Sequence, residues 1–256
     1  MVGVDREGLA ASRPTFVTSE ALVTTGTCVL DEQAARHMRV LRLDVGALVG
    51  LRDGAGGVAE GQLVRLSKSQ AHVEVHSVEH REPLPAVHLL VPVADRDRLL
   101  WLSEKAAEMA CTSWRPVLWR RSRSVSPRGE GPTFQAKVRA RMEGALAQSE
   151  GAWLPQLFPE ATVERAALAA PDGARFVLDP DGPPLVGPST PWFGAPVTLA
   201  VGPEGGVEHD ELALLEAAGF QRASLGATIL RFETAAVAAL AIVRTVLAAP
   251  GITPPR

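Results

Sequence analysis

After the paired prolines Pro83 and Pro85, strand-length apolar runs alternate with helix-length amphipathic segments, and this alternation restricts the fold more than any other feature. The runs are "VHLLVPV", "RPVLW", "ARFVLD", "PVTLAV" and "RASLG". Between the first two, "DRDRLLWLSEKAAEMA" places Leu99, Leu102, Ala106 and Met109 on one helical face. "TFQAKVRARMEGALAQ" reads as a second helix, and a third, from Val207 to Ala218, should stop at Gly219, a residue suited to the left-handed position after a helix. Such a pattern predicts an α/β fold with a mainly parallel sheet and helices on its faces.

The chain before the prolines is different. Residues 14–82 read as mostly β, with "TCVL", "ALVGL" and "AHVEVHSV" set apart by turn signals, notably "RDGAGG" at Arg52–Gly57. One helix should interrupt them, starting at Asp31 and carrying Arg36 and Arg39. "EPLPAV" is the expected linker, and a length of 256 residues accommodates one large domain or two small ones. A 46% share of hydrophobic residues allows a substantial core, yet no uninterrupted apolar stretch approaches the roughly 20 residues of a membrane helix. The N-terminal "MVGVDREGLAASRP" has no apolar signal region, and Cys28 and Cys111 are too isolated for a disulfide framework or a zinc site. These features point to a cytoplasmic protein with no metal and no membrane partner.

Charge is informative in its distribution. The net charge is −3, but Arg115–Arg128 carries five arginines and no acid, and Arg36–Arg42 carries three and no acid. Either these are solvated faces in a chain rich in arginine, or they hold phosphates and stack on bases of an RNA. Ser122–Pro132, "SRSVSPRGEGP", reads as a mobile basic loop. His72, His76 and His80 recur every four residues, but along a strand that spacing spans roughly 13 Å, too far to share an ion. The final helix, "ETAAVAALAIVRTVLAA", is apolar on every side from Ala235 to Val243. It must therefore be covered all round, by a crowded core or by a second subunit; the commonness of twofold homodimers favours the second subunit.

The glycine turn "VGPEGG" follows the apolar run Pro196–Val201 and precedes a helix, a placement often used to cradle phosphate. Here Glu204 sits in the turn, and Glu208, Asp210 and Glu211 crowd the helix start. Those last three suit a helix N-terminus on electrostatic grounds. A ligand that bears no phosphate, such as the sulfonium S-adenosylmethionine, resolves the conflict.

"VGPEGG" followed by "SLGATILRFETAA" (Ser224–Ala236) closely resembles the RsmE methyltransferases, a SPOUT-class family with a trefoil-knotted C-terminal domain. "RHMRVLRLDVGALVGLRDG", "EKAAEM" and "AQSEGAWLP" extend the resemblance along most of the chain. It implies a PUA-like, RNA-binding β-barrel over residues 14–82, a methyltransferase domain over 86–249, and a homodimer. It also implies methylation of uridine N3 in 16S ribosomal RNA, free or in the assembled small subunit, with S-adenosylmethionine as donor. The implied cofactor loops contribute Leu178, Asp179 and Pro180; Gly202, Pro203, Glu204, Gly205 and Gly206; and Leu225, Gly226, Ile229, Leu230 and Arg231.

Uridine N3 must lose a proton before it attacks a methyl group. A guanidinium stabilises the anion and a carboxylate accepts the proton, roles that the matched motif offers to Arg231 and Glu233, with Glu204 as a second carboxylate. Arg231 could equally serve a salt bridge, and Glu233 the start of a helix. Candidate RNA contacts are Arg39, Arg42, Arg120, Arg121 and Arg123. Departures from the family pattern fall at Asp95, Leu100, Gly151 and Phe232, and they put the target nucleotide rather than the cofactor in question.

Overall fold

The computed structural model describes residues 13–124, 131–187 and 196–248; Arg123's side chain and most of the expected basic loop, residues 125–130, lie outside the described residues. The chain divides into two compact units, one of residues 1–82 with 146–153, the other of residues 83–145 with 154–256. Residues 146–153 thus belong with the first unit, although in sequence they sit well inside the second.

The first unit comprises β1 (Thr15–Val17), β2 (Gly26–Leu30), α1 (Glu32–Val40), β3 (Leu48–Arg52), β4 (Gly57–Leu66) and β5 (Ala71–His80). Their sheet order is β1-β3-β4-β5-β2, with only the β1–β3 pair parallel. Asp31 starts α1 by accepting a hydrogen bond from Ala34 N at 2.9 Å, and Arg42 closes it in the left-handed conformation at φ 56°. Asp53 builds the "RDGAGG" turn: its carboxylate accepts from Ala55 N and Gly57 N at 2.8 Å and from Leu22 N at 3.0 Å. Phe16, Leu30, Met38, Leu51, Leu63 and Val73 form the core of this unit. Residues 150–153 join it through backbone, with Arg52 Nε donating to Gly151 O at 3.1 Å and Trp153 Nε1 to Arg81 O at 2.8 Å. Of the three histidines on β5, His76 and His80 are exposed and His80 meets the Trp153 ring edge-on; no metal-binding group of three ligands occurs among the described residues.

The second unit contains β6 (Val87–Pro92), α2 (Arg96–Glu108), β7 (Ser113–Leu118), a 3-10 turn at Arg120–Ser124, α3 (Pro132–Ser149, its last turn counted with the first unit), β8 (Gln156–Leu157), β9 (Ala161–Thr162), α4 (Val163–Leu168), β10 (Ala174–Leu178), β11 (Val197–Val201), α5 (His209–Ala217), β12 (Gln221–Ala223) and α6 (Phe232–Ala248). The sheet is parallel throughout, in the order β12-β10-β11-β6-β7-β8, with β9 also beside β7. Alternation along β11 divides the two faces. Val197, Leu199 and Val201 pack with Leu102, Val138 and Leu240 of α2, α3 and α6, whereas Ala200 packs with Ala166 and Leu215 of α4 and α5. As the pattern predicts, α5 ends before Gly219, whose φ is 83°; it begins at His209, two residues later than the sequence suggests.

Helix α6 is buried within this unit along one face, Phe232, Glu233, Ala236, Ala239, Leu240 and Val243, where it meets α2, β6 and β11. Arg244 anchors it by donating to the carbonyls of Met109 (2.9 Å), Ala110 and Pro85. The other face, with Ala238, Ala241 and Ile242, remains half-exposed.

Candidate active site

Three strands end at one level, since Leu178 of β10 lies opposite both Val201 of β11 and Ala223 of β12. The loops that leave these carboxyl ends enclose a cavity of about 340 Å³, a volume suited to a small cofactor. Leu178, Asp179 and Pro180 line it from the first loop, Gly202, Pro203, Glu204 and Gly206 from the second, and Leu225, Gly226, Ile229 and Leu230 from the third. Three stretches far apart in sequence therefore converge. Ile229 is 86% exposed, an apolar side chain held at the rim with little of this chain against it.

The glycine turn is tight. Gly206 N donates to Pro203 O at 2.9 Å, and Gly206 has φ 79°, which disfavours any side chain. Gly205 does not line the cavity; a Cβ there would press on Arg121, 3.1 Å from its Cβ. Its carbonyl accepts from Arg121 Nη1 at 2.6 Å. The glycine at 205 thus makes room for a neighbouring side chain of the protein, whereas the sequence suggested room for a ligand.

Every acid near this turn has a partner. Arg121 Nε contacts Glu208 at 2.7 Å, Arg120 pairs with Asp210, and Arg120 N donates to Glu211 Oε1 at 2.8 Å. The Arg120 hydrogen bond holds the Asp210 carboxyl below its ordinary value. Glu208 and Glu211 form a reciprocal capping box, each side chain accepting from the other's backbone N–H. These three acids are therefore structural, as expected. Arg120 and Arg121, candidates for RNA, spend their charge on α5 and the glycine turn. In the other unit Arg39 donates to the carbonyls of Ser67 and Lys68, while Arg42 is exposed.

The first loop has its own clamp. Arg222 Nε donates to Asp179 Oδ2 at 2.7 Å, and Asp179 Oδ1 accepts from Asp181 N at 3.0 Å. Asp179 thus fixes the loop with both oxygens. Arg222, Asp181, His209, Leu212, Ser224 and Thr228 also line the cavity, and none was singled out from the sequence. The wall contributed by α6 is Phe232 and Ala235.

Arg231 and Glu233 flank that wall without lining the cavity. Arg231 is exposed; its carbonyl accepts from Ala235 N at 2.8 Å, and its guanidinium makes no hydrogen bond or ion pair among the described residues. Glu233 is 8% exposed, and its Oε2 is buried without a hydrogen-bond partner. Glu233 Oε1 lies 3.8 Å from Nε of Arg98, which also forms an ion pair with Glu204. Arg98 gave no sequence signal, because "DRDR" looks like a solvated first turn. Asp95, one of the departures, caps this turn by accepting from Asp97 N and Arg98 N at 3.1 and 3.0 Å. Phe232 is buried in the core, Leu100 packs partly against it, and Gly151 offers only its carbonyl to Arg52.

Residues 80–244 match the RNA methyltransferase domain model, and residues 30–75 match the RNA methyltransferase PUA domain model. Ribosomal RNA small subunit methyltransferase E of Synechocystis is 30% identical over 90% of this chain and 77% of its own length. The chain belongs to the ribosomal RNA small subunit methyltransferase E family. The Mycobacterium bovis member is 28% identical over 86% of this chain and 87% of its own. The crystal structure of the Neisseria gonorrhoeae member bound to S-adenosyl methionine superposes with a TM-score of 0.82 at 27% identity, covering 91% of this chain and 98% of that one.

Proposed function

We propose that this family member methylates N3 of a uridine in 16S ribosomal RNA, using S-adenosylmethionine, in the cytoplasm. The observation that carries the cofactor assignment is a mixed polar and apolar cavity whose wall bears Asp179, Asp181 and Glu204, with Arg222, the one arginine among the lining residues, already paired to Asp179. A phosphate would meet three carboxylates there, with Arg222 and Arg98 already engaged by them, whereas a sulfonium would not be repelled. Leu178, Leu225, Ile229 and Leu230 offer apolar surface to an adenine, and the glycine turn leaves backbone groups open to close approach. When bound, S-adenosylmethionine supplies an electrophilic methyl group on a good leaving group.

The chain's own residues must handle the N3 proton and the charge left behind. Arg231, exposed beside the cavity wall and without a partner among the described residues, stabilises the uracil anion. We assign proton acceptance to Glu204 in preference to Glu233, because the Glu204 side chain is 46% exposed and lines the cavity while that of Glu233 is 11% exposed. The RNA backbone would be held by cations that remain free. Arg42 is exposed on the first unit, which would act as the RNA-binding domain; on the second, Arg96 and Lys137 line a cleft beside Arg141, which is itself paired with Glu104. A homodimer would cover the half-exposed face of α6.

The test is methyl transfer from labelled S-adenosylmethionine to small subunits from a strain lacking this gene, followed by nucleoside mass spectrometry. The expected product is 3-methyluridine in 16S ribosomal RNA. A methyl group found on another nucleotide, or none on either free RNA or assembled subunits, would overturn the reading.

A further inference from the structure

Arg98 stands between the two carboxylates of the site. It leaves the first turn of α2 to pair with Glu204 of the glycine turn and approaches Glu233 of α6 at 3.8 Å. Its side chain keeps 31% of its surface exposed, although it does not line the cavity itself. One cation between two carboxylates leaves one negative charge in excess, and Glu233 Oε2 has no partner of its own. Leaving a buried carboxylate oxygen unsatisfied costs roughly 1–3 kcal/mol or more. A strained resting state is more often found where a group must change partners.

Resting on the uridine reading above, we propose that Arg98 is a second catalytic guanidinium, one that passes from Glu204 to the uracil anion as the proton leaves N3. The N3–H bond breaks and its proton moves to Glu204, which becomes neutral and releases its hold on Arg98. The negative charge appears on the uracil ring, spread over N3, O2 and O4, and Arg98 meets it together with Arg231. Net charge in the site is unchanged by the transfer, so no isolated charge is created. The N3 lone pair then forms the new N–CH3 bond as the donor's S–CH3 bond breaks. Glu233 is a positioning residue, keeping Arg98 oriented while its partner changes.

Arg98→Gln and Arg98→Lys separate this role from a structural one. For Arg98→Gln, kcat should fall by about 10²–10³-fold, the range for loss of one preorganised donor to a developing anion. Affinity for S-adenosylhomocysteine, measured by calorimetry, should stay within about twofold by the same differential-binding logic. Arg98→Lys should recover part of the rate, since it keeps the charge and loses the fork. Transcribed RNA carrying 5-fluorouridine has a more acidic N3–H, so the Arg98→Gln deficit should shrink on it. Binding gives a readout independent of turnover: with S-adenosylhomocysteine bound, Glu204→Gln, whose neutral side chain stands in for the protonated carboxyl and frees Arg98, should hold the 5-fluorouridine RNA more tightly as pH rises through ionisation of that base, and adding Arg98→Gln should weaken that rise. Arg98→Gln with parental kcat, or with an equal deficit on both RNAs and no change in the pH-dependent binding, would overturn the proposal. A parent protein that makes no 3-methyluridine would instead sink the functional reading on which it rests.

Discussion

The starts of α5 and α6 both carry charge beside the same cavity, and they treat it in opposite ways. At α5, Glu208 and Glu211 cap each other, while Arg120 and Arg121 neutralise Asp210 and Glu208 and tie down Gly205. At α6, the Arg231 guanidinium has no partner among the described residues, Glu233 Oε2 is buried without one, and Arg98 is shared between two carboxylates. Polar groups satisfied within the fold contribute stability and have little left for a ligand; unsatisfied ones cost stability and are retained where a ligand completes them. By this difference α5 is a fixed wall of the site and α6 presents its reactive groups.

The largest expected effect concerns whether α6 works within one subunit. If the face bearing Ala238 is covered by a second copy, Ala238→Arg buries an unpaired charge costing several kcal/mol and should separate the dimer. Light scattering should then show monomers with retained cooperative melting, and methyl transfer should fall with association. A parent protein that is a stable, fully active monomer at micromolar concentration would show instead that the α6 groups need no partner.

A smaller effect should come from α5. Glu211→Ala removes acceptors for Glu208 N and Arg120 N and should cost about 1–2 kcal/mol, read as a lower melting temperature with kcat largely kept. A large loss of kcat at unchanged stability would move α5 into the reactive class.

The smallest effect tests a half-buried group that is bonded rather than orphaned. His88 on β6 shares a 2.7 Å hydrogen bond with Ser113 Oγ, and burial, aided by the Arg244 guanidinium, pushes its pKa below the ordinary 6.5. Below that ordinary value the unfolded chain takes up a proton that the folded chain refuses. Its contribution is therefore present above pH 6.5 and lost as pH falls. Replacing His88 with Gln should flatten this part of the melting-temperature profile, and an unchanged acid slope would contradict the assignment.

What could be read in the sequence was local. The parallel α/β unit, the cap at Asp31 and the stop at Gly219 follow from periodicity and turn chemistry, and the three loops around the cavity follow from the family resemblance. What could not be read was long-range pairing. Arg120 and Asp210 are 90 residues apart, Arg222 and Asp179 are 43 apart, and nothing in "DRDR" marks Arg98 as the partner of Glu204. An arginine cluster in a sequence therefore looked like a surface for RNA, although two of its members were bound to acids of the same chain. The knotted path implied by the family resemblance leaves no local residue signal at all.

The most direct measurement compares single-turnover methyl transfer by Arg231→Gln and Glu211→Ala, with melting temperatures recorded for both. The account predicts that Arg231→Gln loses about 10²–10³-fold in rate while melting like the parent, and that Glu211→Ala melts earlier while reacting at nearly the parental rate. An Arg231→Gln variant that transfers methyl groups at the parental rate would contradict the division between the two helix starts.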